Sequence, residues 1–502
     1  MYKLFSKLTL SLVLLLPFGS AFSKPLNAEA PVHGKNETPV GKSSVVIPDI
    51  FSSGMVIQQN RPINIWGTGD NTDLISIEFE GEKKTANVIN SKWNIVFMPR
   101  KASHQAQSMS ISNKGVLLRK IDDILIGEVW LASGQSNMEM RLDLTYGLEE
   151  ALKRPADPLL RSFKVPRSLL NRSGPLNTPW EEAAPGKING WSAIAYQFAV
   201  ELREKLQTPV AIINTAVGAS VNESWCSPEL LAKGYPEWDA YWKTIENDPK
   251  PSLQCKPSTC YNGILKSVMP YGICGVIWYQ GEGNAARWKE QPQLFIDMVQ
   301  EWRTHWSNPE LPFFFVQLAR YDVAQWHDFR NAQRIAWEKL PNSFMAVSID
   351  LSKDVELPVP PTPPHKTHPI HPATKKPLGH RLALAAKALV YGEKNIIYSG
   401  PRIKKALRAG NNIRLSFDFV GQGLSTMDGQ DLRGFYLAGP DGKFVSAQAK
   451  IQKDTVVIDV PDKMQPSKLR YGSEQDMTSR LLDVNLGNAE KLPASPFTVD
   501  VK

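Results

Sequence analysis

The chain has 502 residues, 42% hydrophobic and 22% charged, a globular composition too long for one typical domain, so about three are expected. The formal charge is +8, and Lys3 and Lys7 sit in an N-terminal export signal, leaving 8 − 2 = +6. So small a charge for the length, with no basic tract, argues against a nucleic-acid partner.

Residues 1–23 read as a secretory signal peptide, in which Lys3 and Lys7 precede an apolar run over 8–18 and small residues follow. The run is too short to span a bilayer, so an exported, periplasmic or extracellular protein is expected, with no stable membrane insertion after cleavage. Residues 24–44 are rich in Pro, Asn, Lys and Ser and read as a flexible leader. Over 45–121, alternating segments such as "ISIEFEG" and "NIVFMP" lie between turn clusters such as "GTGDNTD", predicting an N-terminal β region of sandwich type.

Residues 122–397 change character. The apolar runs "ILIGEVWLA", "PVAIINTAV", "GVIWYQ", "FFFVQLA" and "FMAVSID" predict strands buried on both faces, as in a parallel sheet. Helical spacing intervenes at Ile194, Phe198 and Leu202; at Phe295, Met298, Val299, Trp302 and Trp306; at Phe329, Ala332, Ala336 and Leu340; and over 378–390. Strands alternating with helices make this an α/β layered domain. Residues 398–502 return to short strands, "NIRLSFDF" and "DTVVIDV" among them, a C-terminal β region.

Polar residues gather where the predicted parallel strands end: Ser136 after the first, Gly218 and Ser220 after the second, the block "QGEGN" after the third, Gln317 and Asp350 after the fourth and fifth. Open parallel sheets bind ligands at that edge. Ser136 then has two readings, a helix N-cap or a nucleophile. A nucleophile needs a base, and His365, His368 and His371 lie in the loop before the last helix, with His380 at its start. No Cys or carboxylate spacing accompanies them, so no metal site is expected, and no organic cofactor. Trp130, Trp278 and Tyr279 fall within apolar strands and read as core. Arg141 and Trp288 read as surface residues or glycan contacts, and Glu282 as a partner of Arg330 or a group that positions the site. Cys255 and Cys260, close together in an exported chain, are expected to form a disulfide.

The blocks "IGEVWLASGQSNMEM", "PVAIINTAVGAS", "GVIWYQGEGNA" and "IHPATKKPLGHRLAL" together resemble the bacterial sialate O-acetylesterases, SGNH-hydrolase-like carbohydrate esterases, with similarity across nearly all of the chain after the leader. The resemblance implies an SGNH-like catalytic domain flanked by β regions, with Ser136 as nucleophile and His371 as general base. It also implies an oxyanion hole of the Ser136 and Gly218 N–H groups, completed by the amide of Gln280 or Asn284. The implied substrate is an O-acetylated sialic acid. Acetylated xylan or another polysaccharide is the alternative, and a glycan-binding protein with decayed chemistry is the reading from a different class. Three positions depart from the family pattern: Pro369 stands where an aspartate usually precedes the histidine, Ala219 replaces the second of two glycines, and Gly283 replaces a serine. Since proline cannot orient an imidazole, Asp350, Asp354 and Glu356 become candidates for that role.

Overall fold

One strand of 19 residues, Val116–Gly134, organises the fold. The computed structural model describes residues 44–170, 178–245, 252–321, 323–351, 370–472 and 484–502, so the signal peptide, residues 24–43 of the leader, His365, His368, Pro369, Asp354 and Glu356 lie outside the described residues. The first half of the long strand pairs antiparallel with Ser103–Asn113 in the N-terminal β region. Its second half is the centre of a parallel sheet, flanked by Val210–Asn214 and Gly275–Tyr279.

The sheet runs Ser343–Ala346, Phe313–Val316, Gly275–Tyr279, Val116–Gly134, Val210–Asn214 and Asp157–Lys164, all parallel, with Glu181–Ala183 antiparallel at one edge. The five apolar runs are all present. Every residue of Val210–Asn214, Gly275–Tyr279 and Phe313–Val316 is buried, as strands covered by helices on both faces must be. The expected helices are Ala193–Leu206, Gln291–His305, Trp326–Lys339 and Lys376–Leu389. Trp130, Trp278 and Tyr279 are core residues, as their apolar strand setting predicts.

The structure differs from the sequence expectation at two places. The boundary between 121 and 122 falls inside the long strand, and a single apolar core runs from Ile47 through Ala386, so the N-terminal β region is fused to the catalytic layer. Strand Asp157–Lys164 is absent from the expected set, because Arg161 interrupts its apolar pattern. That guanidinium is buried yet satisfied, donating to the carbonyls of Gly54, Asp123 and Pro158 and pairing with the Asp123 carboxylate. The C-terminal region is a two-sheet sandwich: Arg402–Ala409, Asn412–Asp418, Thr455–Asp459 and Ala449–Gln452 make one sheet, Phe444–Ser446, Phe435–Ala438, Lys468–Tyr471 and Phe497–Asp500 the other. Its side chains, with Val347 and Ile349, form a second core.

Candidate active site

Gly134 ends the central strand at φ +120°, where a Cβ would lie 2.2 Å from the Tyr279 carbonyl oxygen. Only glycine lets the chain turn this close to its neighbour. The turn opens a one-turn helix, Ser136–Glu139, whose N-cap is Gln135 and uses no side-chain cap. Ser136 is therefore the first helical residue and not the N-cap. Its hydroxyl lies 2.7 Å from His371 Nε2, joining positions 235 residues apart, and both side chains are half-buried. A hydroxyl at hydrogen-bond distance from an imidazole is the arrangement in which a serine oxygen can lose its proton as it attacks.

Gly218 lies beside Ser136: a Cβ built on it would sit 3.5 Å from Ser136 Cβ. Its N–H, expected to be an oxyanion donor, donates to Glu139 Oε2 at 2.6 Å. Ala219, where the family pattern has its second glycine, holds φ +63°, a left-handed conformation costly for an L-residue with a Cβ.

The expected amide donors point elsewhere. Gln280 Nε2 donates to the Ser220 carbonyl and to Asn284 Oδ1, at 3.2 and 2.7 Å. Asn284 Nδ2 faces the buried Glu223 carboxylate, 2.9 Å away, which also pairs with Arg287. These amides brace the loop that carries Gly218 and do not form the third oxyanion donor in this state. Asp350 is likewise engaged elsewhere: Arg381 grips both its oxygens, at 2.8 and 2.6 Å, in a largely buried ion pair, and no hydrogen bond joins it to His371 among the described residues. His380 bonds Glu201 on the neighbouring helix.

Glu282 does not pair with Arg330, which donates to the Gly472 carbonyl. It accepts instead from Asn137 Nδ2 at 2.5 Å. Burial pushes the Glu282 carboxyl up to about 7, against the opposing effects of its hydrogen bonds and of Lys375. Lys375 Nζ donates to Asn137 Oδ1 at 2.5 Å. Asn137, Lys375 and Glu139 are not singled out by the sequence reading, although Asn137 adjoins Ser136 and Glu139 lies in the same helical turn.

Cys255 and Cys260 are free thiols, not the expected disulfide. Cys255 Sγ donates to the Ala219 carbonyl at 3.2 Å, at the edge of the site, while Cys260 is buried and its thiol pushed up to about 12 by desolvation. Arg141 pairs with Asp143 at the surface, and Trp288 packs half-buried against the main core.

A parallel sheet with a serine–histidine pair at its carboxyl edge is the framework of a hydrolase. Residues 126–387 match the family described as carbohydrate esterase, sialic acid-specific acetylesterase. The chain is 27% identical to the sialate O-acetylesterase of Mus musculus over 433 residues, which is 73% of this chain and 78% of the relative. The Homo sapiens sialate O-acetylesterase is 27% identical over 395 residues, 71% and 73% of the two chains. Among solved structures, a carbohydrate acetylesterase from Xanthomonas citri superposes with a TM-score of 0.77 at 30% identity, covering 91% of this chain and 99% of its own. Fold and relatives together make this protein a carboxylic-ester hydrolase. The chain belongs to the sialic acid-specific acetylesterase family of carbohydrate esterases.

Proposed function

We propose that this protein is an exported serine esterase that removes O-acetyl groups from sialic acids. The observation that carries the reading is the 2.7 Å contact between Ser136 Oγ and His371 Nε2. Ser136 Oγ bonds to the acetyl carbonyl carbon as His371 Nε2 takes its proton. The carbonyl oxygen gains charge beside the Ser136 N–H and the Gly218 N–H, which Glu139 must give up to receive it. The carbon–oxygen bond to the sugar then breaks, and His371 returns the proton to the sugar oxygen. Water, deprotonated by His371, adds to the acetyl-serine, and acetate leaves with Ser136 restored.

The sialic acid substrate is supported by the family match and by the named activity of the mammalian relatives. Export is supported by the charged and apolar pattern of residues 1–23. Acetate release from a panel of O-acetylated sialic acids and acetylated xylan, by wild type and Ser136→Ala, tests the chemistry and the substrate together. Release from sialic acids that vanishes in Ser136→Ala is the expected result; faster release from xylan would overturn the substrate, and an active Ser136→Ala would overturn the nucleophile. A mature N-terminus that still begins at Met1 would overturn export.

A further inference from the structure

The residues that flank the serine and the histidine are tied to each other. Asn137 follows Ser136, Ile370 precedes His371, and Asn137 Nδ2 donates to the Ile370 carbonyl at 2.8 Å. The same Nδ2 donates to Glu282 Oε1, and Asn137 Oδ1 accepts from Lys375 Nζ, both at 2.5 Å. A primary amide has two N–H donors, and here both are committed to different segments of the chain, which leaves the group a single orientation. Asn137 is fully buried and Lys375 1% exposed, so the centre of the clasp is shielded from water.

The loop bearing His371 is thereby held on both sides of the imidazole, at Ile370 by one N–H of Asn137 and at Lys375 by its acceptor oxygen, while the second N–H ties the amide to Glu282. Lys375 is also the N-cap position of helix Lys376–Leu389, so the clasp anchors the loop to a rigid element. We propose that Asn137, Lys375 and Glu282 are positioning residues that set the Ser136–His371 distance through the main chain. The proposal rests on the serine–histidine reading above. It gives the imidazole a positional restraint that Pro369 cannot supply. A displacement of about 1 Å at a reacting group can cost on the order of a hundredfold in rate, so a clasp of this kind has a measurable effect.

The test measures kcat and KM of the full chain on p-nitrophenyl acetate, and the rate at which a fluorophosphonate labels the active serine. Both activities should vanish in Ser136→Ala; if they persist, the serine reading fails and this proposal falls with it. With that dependence in hand, Asn137→Ala should lower kcat and labelling by about ten- to a hundredfold, with KM changed less than about twofold. Lys375→Met should act in the same direction and decides the matter if circular dichroism shows Asn137→Ala unfolded. Glu282→Gln, which keeps an acceptor for Asn137, should lose less than Glu282→Ala. Unchanged kcat in folded Asn137→Ala or Lys375→Met overturns the proposal while leaving the serine reading intact, and equal losses in the two Glu282 variants overturn the role given to that acceptor.

Discussion

Glu139 Oε2 accepts the Gly218 N–H at 2.6 Å, so a carboxylate from the serine's own helix fills the backbone donor beside Ser136. A negative charge there competes with the developing oxyanion for the same hydrogen and repels it.

Glu139→Gln keeps an oxygen for the N–H but removes the charge. A hydrogen bond to a charged group is stronger than a neutral one by roughly 1 kcal/mol, so the rate of Ser136 acylation should rise by about fivefold. Burst kinetics on a chromogenic acetyl ester measure it. A slower burst would mean that the charge organises the loop and that Gly218 is not the oxyanion donor.

Asp350 should matter for stability and not for chemistry. Its two-point pair with Arg381 is mostly shielded from solvent, and removing one partner of such a pair costs on the order of 3 kcal/mol. Urea unfolding of Asp350→Asn should show that loss, with kcat close to wild type at temperatures where the variant is folded. A large fall in kcat at unchanged stability would return Asp350 to the mechanism.

Ala219 at φ +63° is strained, and glycine relieves the strain while adding freedom to the unfolded chain. The net gain for Ala219→Gly should be about 0.5–1 kcal/mol by chemical denaturation. A loss of stability would show that contacts of the methyl group outweigh the backbone cost.

Glu282 gives the protein a pH dependence of unusual sign. Its carboxyl is raised to about 7 in the folded state against an ordinary 4.5, so between those values the folded chain holds a proton that the unfolded chain has released. Its contribution to stability is therefore greatest below pH 4.5, falls as pH rises through 7, and then levels, a change on the order of 3 kcal/mol. Glu282→Gln removes this component, so its stability relative to wild type should rise between about pH 5 and pH 8. A constant difference across that range would disprove the assignment.

The parts of the fold that were legible were those whose signal is local. Strands buried on both faces are uninterrupted apolar runs, and the polar residues that follow them in the chain mark the carboxyl edge by residue type alone. Asp157–Lys164 escaped because Arg161 sits in its middle, and the carbonyls that satisfy that guanidinium include Gly54, 107 residues away. The clasp escaped for the same reason: Asn137 meets Glu282 at a separation of 145 residues and Lys375 at 238, and no periodicity reports such contacts. Asp350 misled because its position at a strand end fits a site residue, while its partner, Arg381, lies on the helix that packs beside it. The expected disulfide rested on loop spacing and compartment, neither of which fixes the direction in which a thiol points.

The strand Val116–Gly134 also decides how the molecule comes apart. Its two halves pair with different neighbours but lie in one unbroken strand over one core, so heating should not release the N-terminal β region without pulling the serine-bearing turn with it. The two should melt as a single calorimetric unit, and partial loss of the N-terminal region should silence the enzyme from a distance. The C-terminal sandwich, whose core takes in only Val347 and Ile349 of the catalytic layer, should be the part whose melting is most readily separated from loss of activity.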